Sequence, residues 1–530
     1  MFRLGSLIAV SALVACGGDK GAYDVGDTAA YSTVPTDASS GGTGGGGGTA
    51  TGTGGWTTTA PETEADELAL RPAQTDRHVF IANPDRDSLT RVDVLTHELR
   101  TIDVGRDPRS VLTTPDHRTA VVVNRGEDTV SLVDTESLVE RPVPVRDNLN
   151  RLAISPDGRW AVLWFDPQAV RSDDPTGEAA VSFNQASFVE IATGRHVALA
   201  VGSDTRQVVF QPDGSRVVFV TDAALVVIDL TIADPALELI SLSAEVVPPE
   251  AEDFALAPDG SYGFLRQRFG TELLVIDIDG RAVDRLPVGD DPTDLDISPD
   301  GTLAVVVCRG DRQLWVFDVA DPFAEPDRID LFADLALGAL QFDPTGRRAL
   351  IYSTVDSAPA RYGTWDLATD AIELHALVKP AAIVSLSPDG ETALVFHQLA
   401  EAPGADPASP FRGEHAVSVV HLADQRTNPI LLPAEVTGYV HESTGRRGYF
   451  VMDGPQFLEV LDYRTLLYTE VPIPSPPVYV GVLPDLDPSD GDAPSAWVSQ
   501  EHDLGRLSFW DPDDEGLETL TGFELNGGVE

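Results

Sequence analysis

Ala120-Val121-Val122-Val123-Asn124-Arg125-Gly126-Glu127-Asp128-Thr129-Val130-Ser131-Leu132-Val133-Asp134 contains two apolar runs of strand length joined by a polar turn, and the second run closes on Asp. That closing pair, an apolar residue followed by a polar one, recurs at Val92-Asp93, Val133-Asp134, Val189-Glu190, Ile228-Asp229, Ile276-Asp277, Phe317-Asp318, Trp365-Asp366, Val420-His421, Leu461-Asp462 and Trp510-Asp511. The intervals are 41, 56, 39, 48, 41, 48, 55, 41 and 49 residues. A period of about 40–50 residues is what a blade of four short antiparallel strands requires. The reading is therefore all-β: a β-propeller of about ten repeat units.

A second marker sits between the first two strands of each unit: Pro115-Asp116, Pro156-Asp157-Gly158, Pro212-Asp213-Gly214, Pro258-Asp259-Gly260, Pro299-Asp300-Gly301, Pro344-Thr345-Gly346 and Pro388-Asp389-Gly390. Pro presets φ, and Asp and Gly accept conformations that other residues avoid, so these are tight turns. Ser443-Thr444-Gly445 and Pro484-Asp485 are degenerate copies. The Asp that ends each inner run reads as a turn former bonding nearby amides. Trp365-Asp366 and Trp510-Asp511 are not WD40 signatures, because the Gly-His partner dipeptide is missing.

Ten units exceed the usual four to eight blades. The intervals 56, 39 and 48 return five units later as 55, 41 and 49, and the insertions Asp166 to Ala180 and Leu399 to Ala416 are also five units apart. Two arrangements follow: one ten-bladed ring, or two smaller propellers from a five-unit duplication. No linker interrupts Ile297-Ser298-Pro299-Asp300-Gly301 between the halves, which favours one ring. The segment around Gly522 to Leu525 is expected to supply a strand that completes the first blade and removes an edge.

The run Ala120 to Gly126, followed by Thr129 to Asp134 and the Pro-Asp-Gly turn, resembles the unit of the YVTN-type β-propeller repeat family, from Arg77 to the C-terminus. The resemblance implies the propeller fold. For function it is broad, since that family includes lactonase-like enzymes, surface-layer proteins and scaffolds.

Residues 1–15 read as a signal peptide: Met1-Phe2-Arg3 is a short positive region, and Leu4 to Ala15 is apolar but too short to span a bilayer. Leu13-Val14-Ala15-Cys16 resembles the bacterial lipobox, which implies lipidation of Cys16 and an extracytoplasmic, membrane-anchored lipoprotein. Gly17 after the Cys resembles the outer-membrane export pattern of diderm lipoproteins. Residues 16–72, rich in Gly, Thr and Ser and including the run Gly44 to Gly48, cannot bury enough surface to order themselves and read as a flexible tether. Residues 73–530 form the propeller domain.

Eighty-five acidic against 36 basic residues give a formal charge of -49, which argues against nucleic acid or anionic lipid as a partner of the folded part. Membrane contact is then expected through the N-terminal lipid, and a protein or glycan partner remains open. Of the basic residues only Lys20 and Lys379 are lysines. Cys308, in the run Ala304 to Val307, reads as a small buried hydrophobe with no disulfide partner once Cys16 is acylated.

In a propeller the innermost strands line the channel, and here they precede the Pro-Asp-Gly turns. Arg109, Arg151 and Arg206 lead three of them; Glu252, Asp253, Asp294 and Asp296 lead the next two. At one mouth the arginines would grip a carboxylate or phosphate, and the acids would hold a divalent cation such as calcium; mutual salt bridging is the alternative. Asp485 to Asp492 departs from a calcium loop in the place of its Gly and reads as a solvated acidic loop. His397, His415, His421 and His441 lack zinc spacing and read as structural. No nucleophile elbow, P-loop, Cys-x-x-Cys or His-Glu-x-x-His is present. The leading reading is a binding or assembly scaffold. Its alternatives are a propeller hydrolase or lactonase with a channel-bound divalent metal, and a structural cell-envelope protein.

Overall fold

The computed structural model describes residues 73–522 except 167–183, 244–247, 354–358, 484–495, 512–515 and residues 204, 233, 269, 333, 334, 336, 337, 403 and 503. Its strands form ten four-stranded antiparallel sheets, each made of four strands consecutive in the chain. In blade 2 these are Pro108–Thr113 at the channel, Thr119–Asn124, Thr129–Asp134 and Glu140–Pro144 at the rim. The two middle strands are apolar on both faces because a neighbouring blade covers each face. Rim strands carry charge or proline, as in Arg141, Pro142 and Pro144, which blunts an open edge.

The turn chemistry explains why Asp recurs. Asp134 Oδ1 accepts the amides of Glu136 at 3.2 Å and Ser137 at 2.7 Å; Asp229, Asp277, Asp318, Asp366 and Asp462 each accept a backbone amide two or three residues on. In the Pro-Asp-Gly turn, Asp157 Oδ1 accepts the Ser155 hydroxyl at 2.6 Å and the Arg159 amide at 3.0 Å, and Gly158 sits at φ 70°. Blades 7 and 9 exchange the two roles. Thr345 donates its hydroxyl to Asp343, and Thr444 donates at 2.7 Å to Glu442, so these two turns, including the degenerate copy at Ser443 to Gly445, keep the same bond with its polarity reversed. Both kinds of turn lie on one face of the disc, called here the turn face. Connections between blades and the described residues of the Leu399 to Ala416 insertion lie on the opposite, loop face.

Ten separate apolar clusters fill the ten seams between blades. The cluster that joins Val79, Ile81 and Val92 of blade 1 to Leu483, Trp497 and Phe509 of blade 10 closes one ring and excludes two smaller ones. Cys308 lies in the seam of blades 5 and 6, and burial pushes its thiol up to about 12, as a packing residue.

Closure differs from expectation in its means. The inner strand of blade 1 is Ala73–Gln74, from the start of the propeller itself, and Gly516–Thr521 is the rim strand of blade 10. Each blade begins at the channel and ends at the rim, so both ends of the described propeller meet at one seam, and among the described residues no strand is exchanged. Gln74 bridges it: its Nε2 donates to the Val482 carbonyl at 2.6 Å, and Trp497 Nε1 donates to its Oε1 at 2.7 Å. Of the segment expected to close the ring, only Gly522 falls among the described residues. Cys16, the tether, most of the first insertion and the acidic loop at 485–492 also lie outside them.

Candidate functional site

The channel wall is built from the inner strands, and six of them share one irregularity. Register shifts between Pro108 and Ser110, Ala251 and Asp253, Pro292 and Asp294, Ala381 and Ile383, Val436 and Gly438, and Pro477 and Tyr479. A bulge of this kind leaves its extra residue unpaired and re-aims the side chain. Arg109 and Glu252 occupy that bulged position in blades 2 and 5.

The three predicted arginines stand on consecutive blades, each bound to a carboxylate of its own blade. Arg109 Nε donates to Asp107 at 2.6 Å, Arg151 Nε to Asp166 at 3.0 Å, and Arg206 reaches both oxygens of Asp222 at 3.0 and 2.8 Å. Asp222 also accepts the Ala251 amide at 2.9 Å, which ties blade 4 to blade 5. These ion pairs position the first residues of the inner strands against the loop face.

The predicted acids are drawn together by a residue that sequence reading missed. Arg266, buried in the middle of Tyr262–Gln267, bonds both Glu252 and Asp253 and donates at 3.0 Å to the Pro292 carbonyl of the next blade. Asp294, 0% exposed, accepts the Leu340 amide of blade 7 at 2.6 Å through Oδ2. Gln207 makes the same brace two blades earlier, its Oε1 accepting the Phe254 amide at 3.2 Å. Burial, followed by the charge of Asp253, holds the Asp294 carboxyl well above the usual carboxylate range. Asp296 is half-buried, and its carboxyl is raised well above the usual range by burial and then by Asp294 and Asp253. Asp294 Oδ1 and Asp296 Oδ2 are buried atoms without a hydrogen-bond partner. Among the described residues, no group of three or more His, Cys, Asp or Glu side chains is arranged to hold a metal ion.

The brace needs an oxygen at position 294, not a charge. Asp294→Asn keeps an acceptor for Leu340 and is expected to raise the melting temperature at pH 8 while leaving it unchanged near pH 3. The sign follows because a carboxyl whose folded pKa is raised contributes stability below its unfolded pKa and loses it as pH rises through the folded value. Equal shifts at both pH values in thermal melts would contradict this.

Two of the four histidines singled out in the sequence are hydrogen-bonded in the core. His441 shares hydrogen bonds with Ser385 at 2.8 Å and Tyr463 at 2.6 Å, and burial lowers it to about 3; His397 bonds Ser418 at 2.7 Å and is lowered, by burial first, to about 4. His421 is lowered by burial and then Arg426, and it ends the strand His415–His421 that His415 begins. Buried polar rungs also cross several blades, among them Asn83–Thr90–Thr101, Asn124–Ser131–Glu140 and Gln500–Ser508–Thr519.

No family model matches the chain, and no curated protein matches it. Solved structures do. They include dihydro-heme d1 dehydrogenase NirN in complex with DHE, at 17% identity over 67% of this chain and 73% of that one, with a TM-score of 0.43. A eukaryotic initiation factor is 13% identical over 73% of this chain and 95% of that one, TM-score 0.49. AztD from Citrobacter koseri is 10% identical over 58% and 85%, TM-score 0.36. These are likenesses of the propeller fold between proteins of varied function.

Proposed function

We propose that this protein is a lipid-anchored, extracytoplasmic propeller that binds or assembles partner proteins. The observation that supports it is the commitment of the channel-mouth charges to one another: Arg109, Arg151, Arg206 and Arg266 are each engaged by carboxylates of their own blades. Such a ring is a rigid frame that presents turns and loops on its two faces, and rigid presentation of loops is what a binding scaffold requires. The lipobox-like Leu13-Val14-Ala15-Cys16 and the tether of residues 16–72 support placement at a membrane surface. A tether of that length reaches on the order of 40 Å, and acyl chains contribute roughly 0.8 kcal/mol per buried methylene to anchoring.

The test is metabolic labelling with an alkyne fatty acid, combined with in-cell cross-linking. The full chain is expected to take the label and sediment with membranes, and Cys16→Ala to do neither. Cross-linking is expected to give a discrete heteromeric adduct. An unlabelled, soluble wild-type chain would overturn the anchor, and adducts of this chain with itself alone would move the structural-envelope reading ahead.

A further inference from the structure

The charge excess belongs to the propeller. Residues 1–72 hold 8 of the 85 acidic and 3 of the 36 basic residues, which leaves 77 against 33 over residues 73–530 and a formal charge of -44. The only lysine of that stretch, Lys379, is buried. The arginines are taken up pairwise, as Arg77 is by Asp93, Arg151 by Asp166, Arg216 by Asp279 and Arg281 by Glu238. With acids outnumbering bases by more than two to one, pairing leaves most carboxylates without a counter-charge. Asp284, Glu325 and Glu435 are exposed examples, joined to no basic group among the described residues.

Acid also meets acid. The Asp290 amide donates at 2.8 Å to the Asp311 carboxylate, with Asp291 next in the chain, and the Asp107 amide donates at 2.9 Å to Asp87. Glu459 stands opposite Glu470 in the strand pair of blade 9. The equivalent of Asp290 in blade 2 is Arg106, whose Nε lies 3.6 Å from Glu127, the equivalent of Asp311. One repeat therefore sets a base against an acid where another holds two acids side by side.

Repulsion within a net charge is long-ranged and favours the expanded chain, whereas an ion pair acts at contact. Salt screens the first before the second. The Debye length shortens from about 30 Å at 0.01 M to about 8 Å at 0.15 M, and a buried pair such as Arg266 with Asp253 is screened least. Added salt then stabilises this ring.

We propose that the propeller depends on dissolved cations for its folded state, a diffuse layer of small cations taking the place of the missing basic residues. The protein is in this way fitted to a saline medium. No ordered ion site is involved, and nothing in the proposal rests on the anchor or on the scaffold reading.

The experiment is thermal denaturation of the full chain in non-ionic detergent, in sodium chloride from about 0.01 to 1 M and in choline chloride at the same ionic strengths. Beside it runs a variant carrying Asp284→Arg, Glu325→Arg and Glu435→Arg, three exposed positions outside the channel wall. The wild-type melting temperature is expected to rise by about 10 °C or more, most of it below about 0.15 M and equally in both salts. The variant is expected to melt above the wild type at the lowest salt and to match it at the highest. A melting temperature that stays flat or falls as salt is added would show that ion pairs govern the response, and would overturn the proposal. A rise in sodium chloride alone would assign the effect to a bound ion, and an equal gain of the variant at both extremes would assign its effect to local packing; either result also overturns it.

Discussion

Replacing Lys379 by Met is expected to destabilise the protein by about 3–5 kcal/mol and to open the inserted loop of blade 8 to proteolysis. Lys379 is 0% exposed. Its Nζ donates to the Leu399 carbonyl at 3.0 Å and the Glu414 carbonyl at 2.8 Å, and lies 3.7 Å from Glu401. Leu399 and Glu414 are the two ends of the insertion, so one ammonium closes its neck. Glu401 in turn accepts the Gly413 amide at 2.9 Å. Methionine matches the length of the stem but donates nothing, which leaves the two carbonyls without this donor and Glu401 without its neighbouring cation. Arg412 is exposed within the loop. Limited trypsin digestion is expected to cut after Arg412 far faster in the variant, read as a new fragment beginning at Gly413. An unchanged denaturation midpoint together with an unchanged cleavage rate would show that the clamp contributes nothing.

Lys379 also shows where legibility ends. In a chain that uses arginine almost everywhere, a retained lysine was a signal: three compact, rotatable donors suit a buried point where acceptors converge from three directions, and a planar guanidinium does not. Sequence reading noted the bias but could not place the loop ends around it, since residues 379, 399 and 414 meet only in the fold. Arg266 was hidden for a related reason. It sits inside an apolar strand, and its partners Glu252 and Asp253 become neighbours only through the antiparallel register that pairs Asp253 with Arg266.

What was legible is local. Asp134, Asp157 and Gly158 are dictated by turns only a few residues long, so their recurrence announced the blades and their number directly. The single ring followed correctly from the uninterrupted junction at Ile297 to Gly301, whereas Ala73–Gln74 as the inner strand of blade 1 was not foreseen. That outcome depends on which strand of a unit comes first at the channel, and periodicity carries no phase. The candidate wall residues lie at or beside the heads of inner strands. Their pairing was not legible, because Asp166 and Asp222 come from connections across the blade.

Glu459 carries the second large effect, a loss of stability between about pH 4.5 and 7. It lies on Phe457–Asp462 in blade 9, 1% exposed, opposite Glu470 in the strand pair. Neither carboxyl oxygen has a hydrogen bond of good geometry, and the Tyr468 hydroxyl stands beside it equally unsatisfied. Burial raises its pKa from 4.5 to about 7, the Tyr468 hydroxyl opposes that rise, and Glu470 adds to it. The proton is therefore held more tightly by the folded chain than by the unfolded one. Stability from it is complete below pH 4.5, falls as pH rises toward 7, and is absent above. Integrated over the window the loss is roughly 3 kcal/mol. Glu459→Gln keeps the shape and stays neutral, so it is expected to exceed the wild type by that amount at pH 8 and to match it at pH 4. Chemical denaturation at the two pH values measures the difference; a gain of the same size at both would assign it to packing instead of the proton. At the equivalent strand position blades 1, 2, 3, 8 and 10 carry Thr90, Ser131, Ser187, Ser418 and Ser508, each joined to a polar neighbour. A hydroxyl at that rung is satisfied by one bond and carries no charge at any pH near neutrality. Glu459 occupies the same rung with a group that titrates, so blade 9 joins Asp294 of blade 6 as a place where the ring's stability is expected to fall as pH rises.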